Sequence, residues 1–268
     1  MLDVLNGEMK TISFVIPLYN EEERIGKTFK ALSGVRLPVG LKLENVIFVN
    51  DGSKDNTLKL IKEFKGSSKL GRKIKIVTYS INKGKGYAIK SGMLASNADY
   101  TLFFDADMST PLSELTKFMP FIKEGVNVIV GTRKNGHSTV IKHQPKLREF
   151  LGKGFTLMTK TALSLQVTDF TCGFKAFDKA SKDKVFESSQ IEGWGYDAEI
   201  LFLANKYGFC MVEKAVIWSN DERTKVKLYK AVPQTLGEIA KIRWMHSIKP
   251  ALSPRAAFQP ELSKPIQA

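Results

Sequence analysis

Runs of consecutive apolar residues alternate, through the first half of the chain, with stretches whose apolar positions recur every three or four residues. Thr11–Pro17 (TISFVIP), Asn45–Asn50 (NVIFVN), Ile74–Tyr79 (IKIVTY), Tyr100–Phe104 (YTLFF) and Val126–Gly131 (VNVIVG) predict strands. Several are apolar at adjacent positions, as strands covered on both faces are. Between them, Glu22–Leu32, Asn56–Phe64, Lys85–Ser96 and Leu112–Glu124 predict helices. Thr110 reads as the N-cap of the last, with Pro111 at its first helical position. The alternation predicts an α/β domain with a mostly parallel central sheet and helices on both faces.

After Gly131 the rhythm changes. Lys134–Gln144 is polar and reads as a loop. Lys146–Leu165 predicts a basic amphipathic helix, Asp197–Tyr207 a second helix, and Met211–Trp218 a strand. Asp221–Lys227 reads as a charged loop. Leu228–His246 predicts a helix with Leu228, Val232, Leu236, Ile239 and Ile242 on one stripe. The expected division is an extension over 1–9, one domain over 10–246 with halves at 10–133 and 134–246, and a tail over 247–268. No run approaches the roughly 20 apolar residues that span a bilayer, so no transmembrane helix is expected. The opening MLDVLNGEMK lacks the basic-then-apolar order of a signal peptide. Two cysteines, Cys172 and Cys210, exclude a disulfide framework or a multi-cysteine zinc site, and a reduced, cytoplasmic setting is the default. His137, His143 and His246 have no metal-site spacing and read as surface residues.

Lys and Arg number 41 against 27 Asp and Glu, a formal charge of +14, which calls for an anionic partner. Polar motifs follow four successive strand ends, where an open α/β sheet binds ligands. Asp105-Ala106-Asp107 follows YTLFF. Residues i and i+2 of an extended segment point the same way, so these carboxylates can share a hard divalent ion such as Mg²⁺ or Mn²⁺. Pro17-Leu18-Tyr19-Asn20-Glu21-Glu22 offers Tyr19 to a base or ribose and Glu21 to ribose hydroxyls. Asp51, after the second strand, could accept from a base imide N–H, whereas Asp55 reads as a helix cap. Asn82-Lys83-Gly84-Lys85-Gly86 is glycine-rich and basic before a helix, so backbone N–H groups and Lys85 could approach an anion.

The segments VIPLYNEEERI, VNDGSKDNT, NKGKGYAIKSG and DADMSTP resemble, in order and spacing, the nucleotide-sugar motifs of the family 2 glycosyltransferases. The second half narrows the likeness. GTRK at 131–134, DFTCGFKAF at 169–177, EGWGYDAEILFLA at 192–204 and the pattern Trp218, Lys225-Val226, Ile242-Arg243 resemble dolichyl-phosphate β-glucosyltransferases and related polyprenyl-phosphate enzymes. The resemblance implies the GT-A fold, a Rossmann-like nucleotide-diphospho-sugar transferase architecture. It implies that Pro17, Tyr19, Glu21 and Asp51 hold the nucleoside and that Asp105 and Asp107 bind the metal and diphosphate. It places Arg133, Arg148 and Lys225 as cations around the acceptor phosphate and the leaving diphosphate, with Asp197 near the sugar. Asn50 stands where many relatives have Asp, and Met108 where Leu is usual. Many such enzymes carry C-terminal membrane helices that this chain lacks, so attachment to the inner face of a membrane is expected to be peripheral or through a partner protein.

The expected reaction is inverting transfer of a sugar, glucose from UDP-glucose on the nearest resemblance, to a polyprenyl or dolichyl phosphate. Asp107, Arg133 and Asp197 form the expected catalytic group, and Lys85, Arg148, Arg223 and Lys225 supply further cations. The alternatives are transfer from GDP-mannose, or transfer to a saccharide hydroxyl with Asp197 or Asp169 as base. A nucleotidyltransferase would carry a glycine-rich basic signature after its first strand, where this chain is acidic. A nucleic-acid binder is not expected, since no recognised module is present. Asp197 has a competing reading as a helix N-cap, Trp194 and Trp218 as core residues, and Cys172 as a small buried hydrophobe. Basic residues concentrate in Lys134–Lys160, six against one acidic, and Lys214–Arg255, nine against three. Both flank the acceptor side, and both helices there could lie on an anionic membrane surface.

Overall fold

The computed structural model describes residues 9–134, 138–142, 146–221 and 228–247, with the side chains of 146–150, 228–233 and 247 outside that description. His137, His143, Arg223 and Lys225, the side chain of Arg148, most of the expected N-terminal extension and the tail beyond 247 therefore lie outside the described residues.

The first half runs β1 (Lys10–Leu18), α1 (Ile25–Ser33), β2 (Leu41–Asp51), α2 (Thr57–Ser67), β3 (Ile74–Tyr79), α3 (Lys85–Leu94) and β4 (Tyr100–Phe104). Next come a 3-10 helix (Leu112–Phe118) leading into α4 (Met119–Lys123), and β5 (Val128–Thr132). The second half runs β6 (Val140–Lys142), α5 (Lys146–Leu163), β7 (Phe174–Asp178), α6 (Lys179–Ser188), α7 (Tyr196–Lys206), β8 (Met211–Ala215), β9 (Trp218–Ser219) and α8 (Leu228–Ser247). Among the described residues the main sheet has the order β3-β2-β1-β4-β7-β5-β8. All its pairings are parallel except those of β7, which runs antiparallel between β4 and β5.

The two-residue alternation of each strand builds two cores. Phe14, Phe48, Phe104 and Ile129 face α1, α2 and the 3-10 helix before α4, where Ile25, Ile61 and Phe118 meet them. Val15, Ile47, Phe103 and Val130 face the other layer, where α3, α6, α7 and α8 bring Met93, Val185, Leu201 and Ile242. The chain order reverses between β1 and β4, since β2 lies on one side of β1 and β4 on the other. That reversal opens a crevice at the strands' carboxyl ends.

The sequence patterns place β1, β3 and β4 closely, and the differences elsewhere have local causes. The segment from Leu112 begins as a 3-10 helix with Pro111 in the cap position, so Thr110 does not cap it. The loop expected over Lys134–Gln144 contains β6, which pairs with β9. The strand expected over Met211–Trp218 is two, β8 and β9, in different sheets. Of the expected stripe on α8, the side chains of Leu228 and Val232 lie outside the described residues; Ile239 and Ile242 are buried with Thr235 and His246, and Leu236 faces outward. β7 and α6 were not expected at all. Lys175 interrupts the apolar run of β7 (FKAFD), and α6 (KASKDKVFES) is mostly polar, opened by Asp178 accepting from Ser181 N–H.

Buried charge anchors the chain entering β7. Asp169, fully buried, accepts from Arg133 Nε at 2.7 Å, Arg133 Nη2 at 2.8 Å and the Arg133 backbone N–H at 3.1 Å. Glu213 on β8 accepts from the backbone N–H groups of Thr168 and Asp169. Lys175, fully buried on the inward side of β7, donates to the carbonyls of Phe170 and Cys172 and to Asp197 Oδ1 at 2.5 Å. Burial penalises the Asp169 charge, but the Arg133 guanidinium outweighs it and holds the carboxyl well below the ordinary carboxylate value.

Removing one partner of a buried pair strands the other charge. Arg133→Met is therefore expected to lower unfolding stability by about 3–5 kcal/mol, read from denaturant melts. Arg133→Met combined with Asp169→Leu is expected to recover most of it. The wild-type pair contributes fully above the unfolded Asp value of 3.8 and is lost only as pH falls through the lower folded value. The stability gap between wild type and the single variant should accordingly narrow as pH falls, because protonation relieves the buried Asp169 carboxyl once Arg133 is gone. A loss under about 1 kcal/mol for Arg133→Met would show that this pair anchors nothing.

Candidate active site

A cavity of about 1560 Å³ opens at the carboxyl ends of β1, β2, β4 and β5. From the sequence-derived candidates it brings together Pro17, Tyr19, Glu21, Asp51, Lys85, Asp105, Asp107, Arg133 and Asp197. Arg223 and Lys225 lie outside the described residues, and Arg148 is placed only through the backbone of α5.

The loops after β1 and β2 form one wall and brace each other. Asn20, in the left-handed region at φ 53°, donates its N–H to Ser53 Oγ and accepts at Oδ1 from Lys54 N–H. Tyr19 stays 41% exposed on the cavity rim. Glu21 is buried and ion-paired with Arg24, whose Nε donates to Oε2 at 2.6 Å. Asp51 accepts from Asn82 Nδ2, Lys83 N–H and Gly84 N–H at 2.8–3.0 Å, which fixes the glycine-rich loop before α3. A carboxylate has about four acceptor positions, so capacity for one ligand N–H remains. Asp55 is not the N-cap of α2, a position that Asn56 holds, but from one residue earlier it accepts from Thr57 N–H and also from Glu22 N–H.

The centre of the cavity is a cluster of carboxylates around one ammonium. Lys85 Nζ lies 2.7 Å from Asp105 Oδ1. Burial opposes the Lys85 charge, but Asp105 and then Asp197 outweigh it, so its pKa lies above the ordinary lysine value. Burial, then the neighbouring Asp105 charge, pushes the Asp107 carboxyl above the ordinary value. Two hard oxygen donors two residues apart, electrostatically unfavourable without a cation, are a donor set suited to Mg²⁺ or Mn²⁺. Among the described residues no third His, Cys, Asp or Glu joins them to make an all-protein metal cage. That fits an ion held by one or two carboxylates and completed by substrate phosphates.

The far wall is basic. Arg133 lies there with its charge paired to Asp169, Nη2 also donating to Thr171, and the guanidinium 5.1 Å from the Trp218 ring centroid. Lys134 reaches across to α5, donating to Thr156 Oγ1 at 2.8 Å, and its pKa is lowered, foremost by burial. Asp169 is too deeply buried and too strongly paired to act as a base. Asp197 does not cap α7, whose N-cap is Gly195; it sits in the first helical turn, buried against Lys175. Burial raises its pKa against the pull of Lys175 and Lys85.

Other residues depart from the sequence reading. His246 is buried, its Nε2 2.8 Å from Glu199 Oε1, rather than on the surface. Trp194 is 39% exposed in the cavity wall rather than in the core, whereas Trp218 is buried as expected. Cys172 is fully buried and its thiol is pushed up to about 12 by burial, as suits an inert small hydrophobe. Arg24, Lys134 and Lys175 were missed. Arg24 carries a signal, three residues after Glu21 at the entry to α1, and Lys134 lies in GTRK. Lys175 lies in DFTCGFKAF, but nothing local marks its burial.

Comparisons with known proteins give the family and the fold. The Glycosyl transferase family 2 profile matches residues 13–186. The dolichyl-phosphate beta-glucosyltransferase of Saccharomyces cerevisiae is 33% identical over 236 residues, which cover 81% of this chain and 69% of that protein. The human protein of the same name is 31% identical over 239 residues, covering 83% and 72%. Glucosyl-3-phosphoglycerate synthase from Mycobacterium tuberculosis, crystallised with Mn²⁺, uridine diphosphate and glucosyl-3-phosphoglycerate, superposes with a TM-score of 0.61 at 17% identity, covering 87% of this chain and 80% of that one. Staphylococcus aureus TarS 1-349 gives 0.54 at 16%, covering 88% and 72%. The architecture is that of the GT-A glycosyltransferases, and with its family signature spread over β1 to α6 and its acid-rich crevice at the switch of the sheet, this chain belongs to glycosyl transferase family 2.

Proposed function

We propose that this chain transfers a hexose from a nucleoside-diphosphate sugar, UDP-glucose first among donors, to a polyprenyl phosphate of the dolichyl type, with inversion at the anomeric carbon. The observation that carries the proposal is the Asp105–Asp107–Lys85 cluster at the end of β4, facing a basic wall across one cavity. The names of the relatives supply the acceptor class, and the uridine diphosphate and Mn²⁺ of the solved neighbour supply the donor class.

Tyr19, Glu21 and Asp51, with Pro17 beneath, would hold the nucleoside. Asp105 and Asp107 would hold Mg²⁺ or Mn²⁺, which when bound offsets charge on the leaving diphosphate. Lys85 supplies a second positive charge on that side. The acceptor is a phosphate monoester with a second pKa of about 6, so it is largely dianionic near neutral pH and needs no strong base. Its oxygen forms the new bond to the anomeric carbon as the carbon–oxygen bond to the diphosphate breaks. The electron pair leaves on the diphosphate, and no proton has to move. The work left to the protein is to hold two anions close together, and the basic wall of Arg133 and Lys134, with Arg148, Arg223 and Lys225 as further candidates, suits that task.

A second reading has one observation in its favour. Asp197 lines the cavity with a raised pKa, as a general base for a saccharide hydroxyl would. In that case Asp197→Asn would abolish transfer and keep donor binding.

No described helix is long and apolar enough to cross a membrane. α5 and α8 pack on each other and expose Leu151, Leu157, Met158, Leu236 and Trp244, the last 70% exposed. Lys153, Lys160, Lys241 and Arg243 lie on the same two helices. Leu151, Lys153, Leu157, Lys160 and Lys241 also line the cavity, so the exposed apolar and basic residues lie at its mouth, a composition that suits peripheral docking on an anionic leaflet at about 1 kcal/mol per well-placed cation.

The test is a donor and acceptor screen with Mg²⁺ or Mn²⁺, UDP- and GDP-sugars, and a short polyprenyl phosphate. Nucleotide release that requires the lipid, with the sugar recovered on it, is the expected result. Asp105→Asn and Asp107→Asn are each expected to lower turnover at least about a hundredfold with an unchanged circular dichroism spectrum. Donor binding without lipid-dependent turnover would overturn the acceptor assignment. In sedimentation with anionic vesicles, Trp244→Asp should weaken partitioning about tenfold and leave donor binding intact. Equal partitioning of variant and wild type would remove α8 from the membrane surface.

A further inference from the structure

Trp194 is a large apolar side chain, 39% exposed in a cavity that is also lined by the charged Lys85, Asp105 and Asp197 and by the apolar Leu151, Phe155 and Leu157. Such a residue is ordinarily buried, so this exposure needs a cause. Its loop is held at residue after residue. Gln190 and Ile191 donate their N–H groups to Glu199 at 2.8–3.0 Å. The Glu192 carbonyl accepts from Gly86 N–H at 2.8 Å, tying the loop to the start of α3. Gly195 N–H donates to Glu238 Oε2 on α8 at 2.6 Å, and Gln234 Nε2 donates to Glu238 Oε1 at 2.8 Å. A Cβ at Gly193 would lie 2.2 Å from Glu238 Oε1, and one at Gly195 2.8 Å from Glu238 Cβ. The helix therefore closes directly on both glycines that flank Trp194.

The indole lies beside the diphosphate end of the cavity. Lys85 Nζ is 5.7 Å from its ring centroid and is the same ammonium that pairs with Asp105. A hexose joined to a diphosphate held by Lys85, and by a cation that Asp105 would carry, would come within reach of that ring. One face of a pyranose presents C–H bonds of slight positive charge, and the face of an indole is negative. A rigid aromatic surface binds such a face with little ordering cost.

Building on the proposed function, we infer that Trp194 is the platform on which the donor hexose stacks, and that Glu238 is the positioning residue that sets the ring from α8. Trp194 then decides the affinity for the sugar and not for the nucleotide.

Titration calorimetry on the full chain with Mn²⁺ and with UDP, UDP-glucose and GDP-mannose tests this. Trp194→Ala is expected to weaken the nucleotide sugar bound by the wild type about tenfold, with the affinity for the free nucleotide changed less than about twofold. Trp194→Phe should retain most of the affinity. Glu238→Ala should reproduce part of the selective loss. Glu238→Gln, whose amide oxygen still accepts from Gly195 N–H, should restore it, an outcome a general folding defect would not give. Equal losses for nucleotide and nucleotide sugar overturn the inference. So does unchanged sugar affinity with a raised KM for polyprenyl phosphate, which would assign Trp194 to the lipid. A wild-type chain that binds no nucleotide sugar overturns the proposed function itself, and it is recognised before any variant is measured.

Discussion

The crevice depends on charge buried beneath its floor. The chain entering β7 crosses under the cavity, where no helix or strand pairs its backbone until Phe174. Its polar groups are met by side chains from three other places: Glu213 takes the N–H groups of Thr168 and Asp169, Arg133 takes the Asp169 carboxylate, and Lys175 takes the carbonyls of Phe170 and Cys172. Buried backbone and buried charge both require such partners. Each anchor also leads to a site residue. Arg133 ends β5 in the cavity wall, and Lys175 links to Asp197 in the first turn of α7. The same bonds that let β7 run antiparallel in the middle of the sheet thus hold the site's far wall.

Two walls of opposite sign follow from that frame. On one side Asp105, Asp107 and Asp197 lie close enough to perturb one another, with Lys85 as their internal counter-ion. On the other, Arg133 is oriented by Asp169 and Lys134 is burdened by its own burial. An anionic leaving group needs cations on the acidic side, and an anionic acceptor needs a basic side to rest on. Both demands belong to the proposed reaction, and the two walls offer charges of the sign that each would need. α8 joins this site to the surface, since its inner face meets the Trp194 loop through Glu238 while its outer face exposes Leu236 and Trp244.

Much of this was legible in the chain. The strands β1, β3 and β4 have apolar runs that only a doubly covered sheet accommodates, and Asp105, Asp107, Tyr19 and Asp51 follow strand ends directly. β7 was not legible, because a lysine in a five-residue strand reads as surface until its three partners are known. His246 was misread for the same reason: its partner Glu199 is 47 residues away. Trp194 was misread in the opposite sense, since size and apolarity predict burial, and only the two glycines pressed against Glu238 show why the ring stays outside the core.

The sequence by itself determined what depends on near neighbours: the strand and helix periods, the motifs at the carboxyl ends of strands and the family they belong to. Alternation of two and repeats of three to four are set by backbone geometry within a few residues, so they survive without the fold. Tertiary structure alone decided which charges are spent and which face a ligand. Arg133, Asp169, Lys175 and Asp197 carry no local sign of their pairing, because a charge's cost and direction depend on the dielectric and partners that distant segments bring to it.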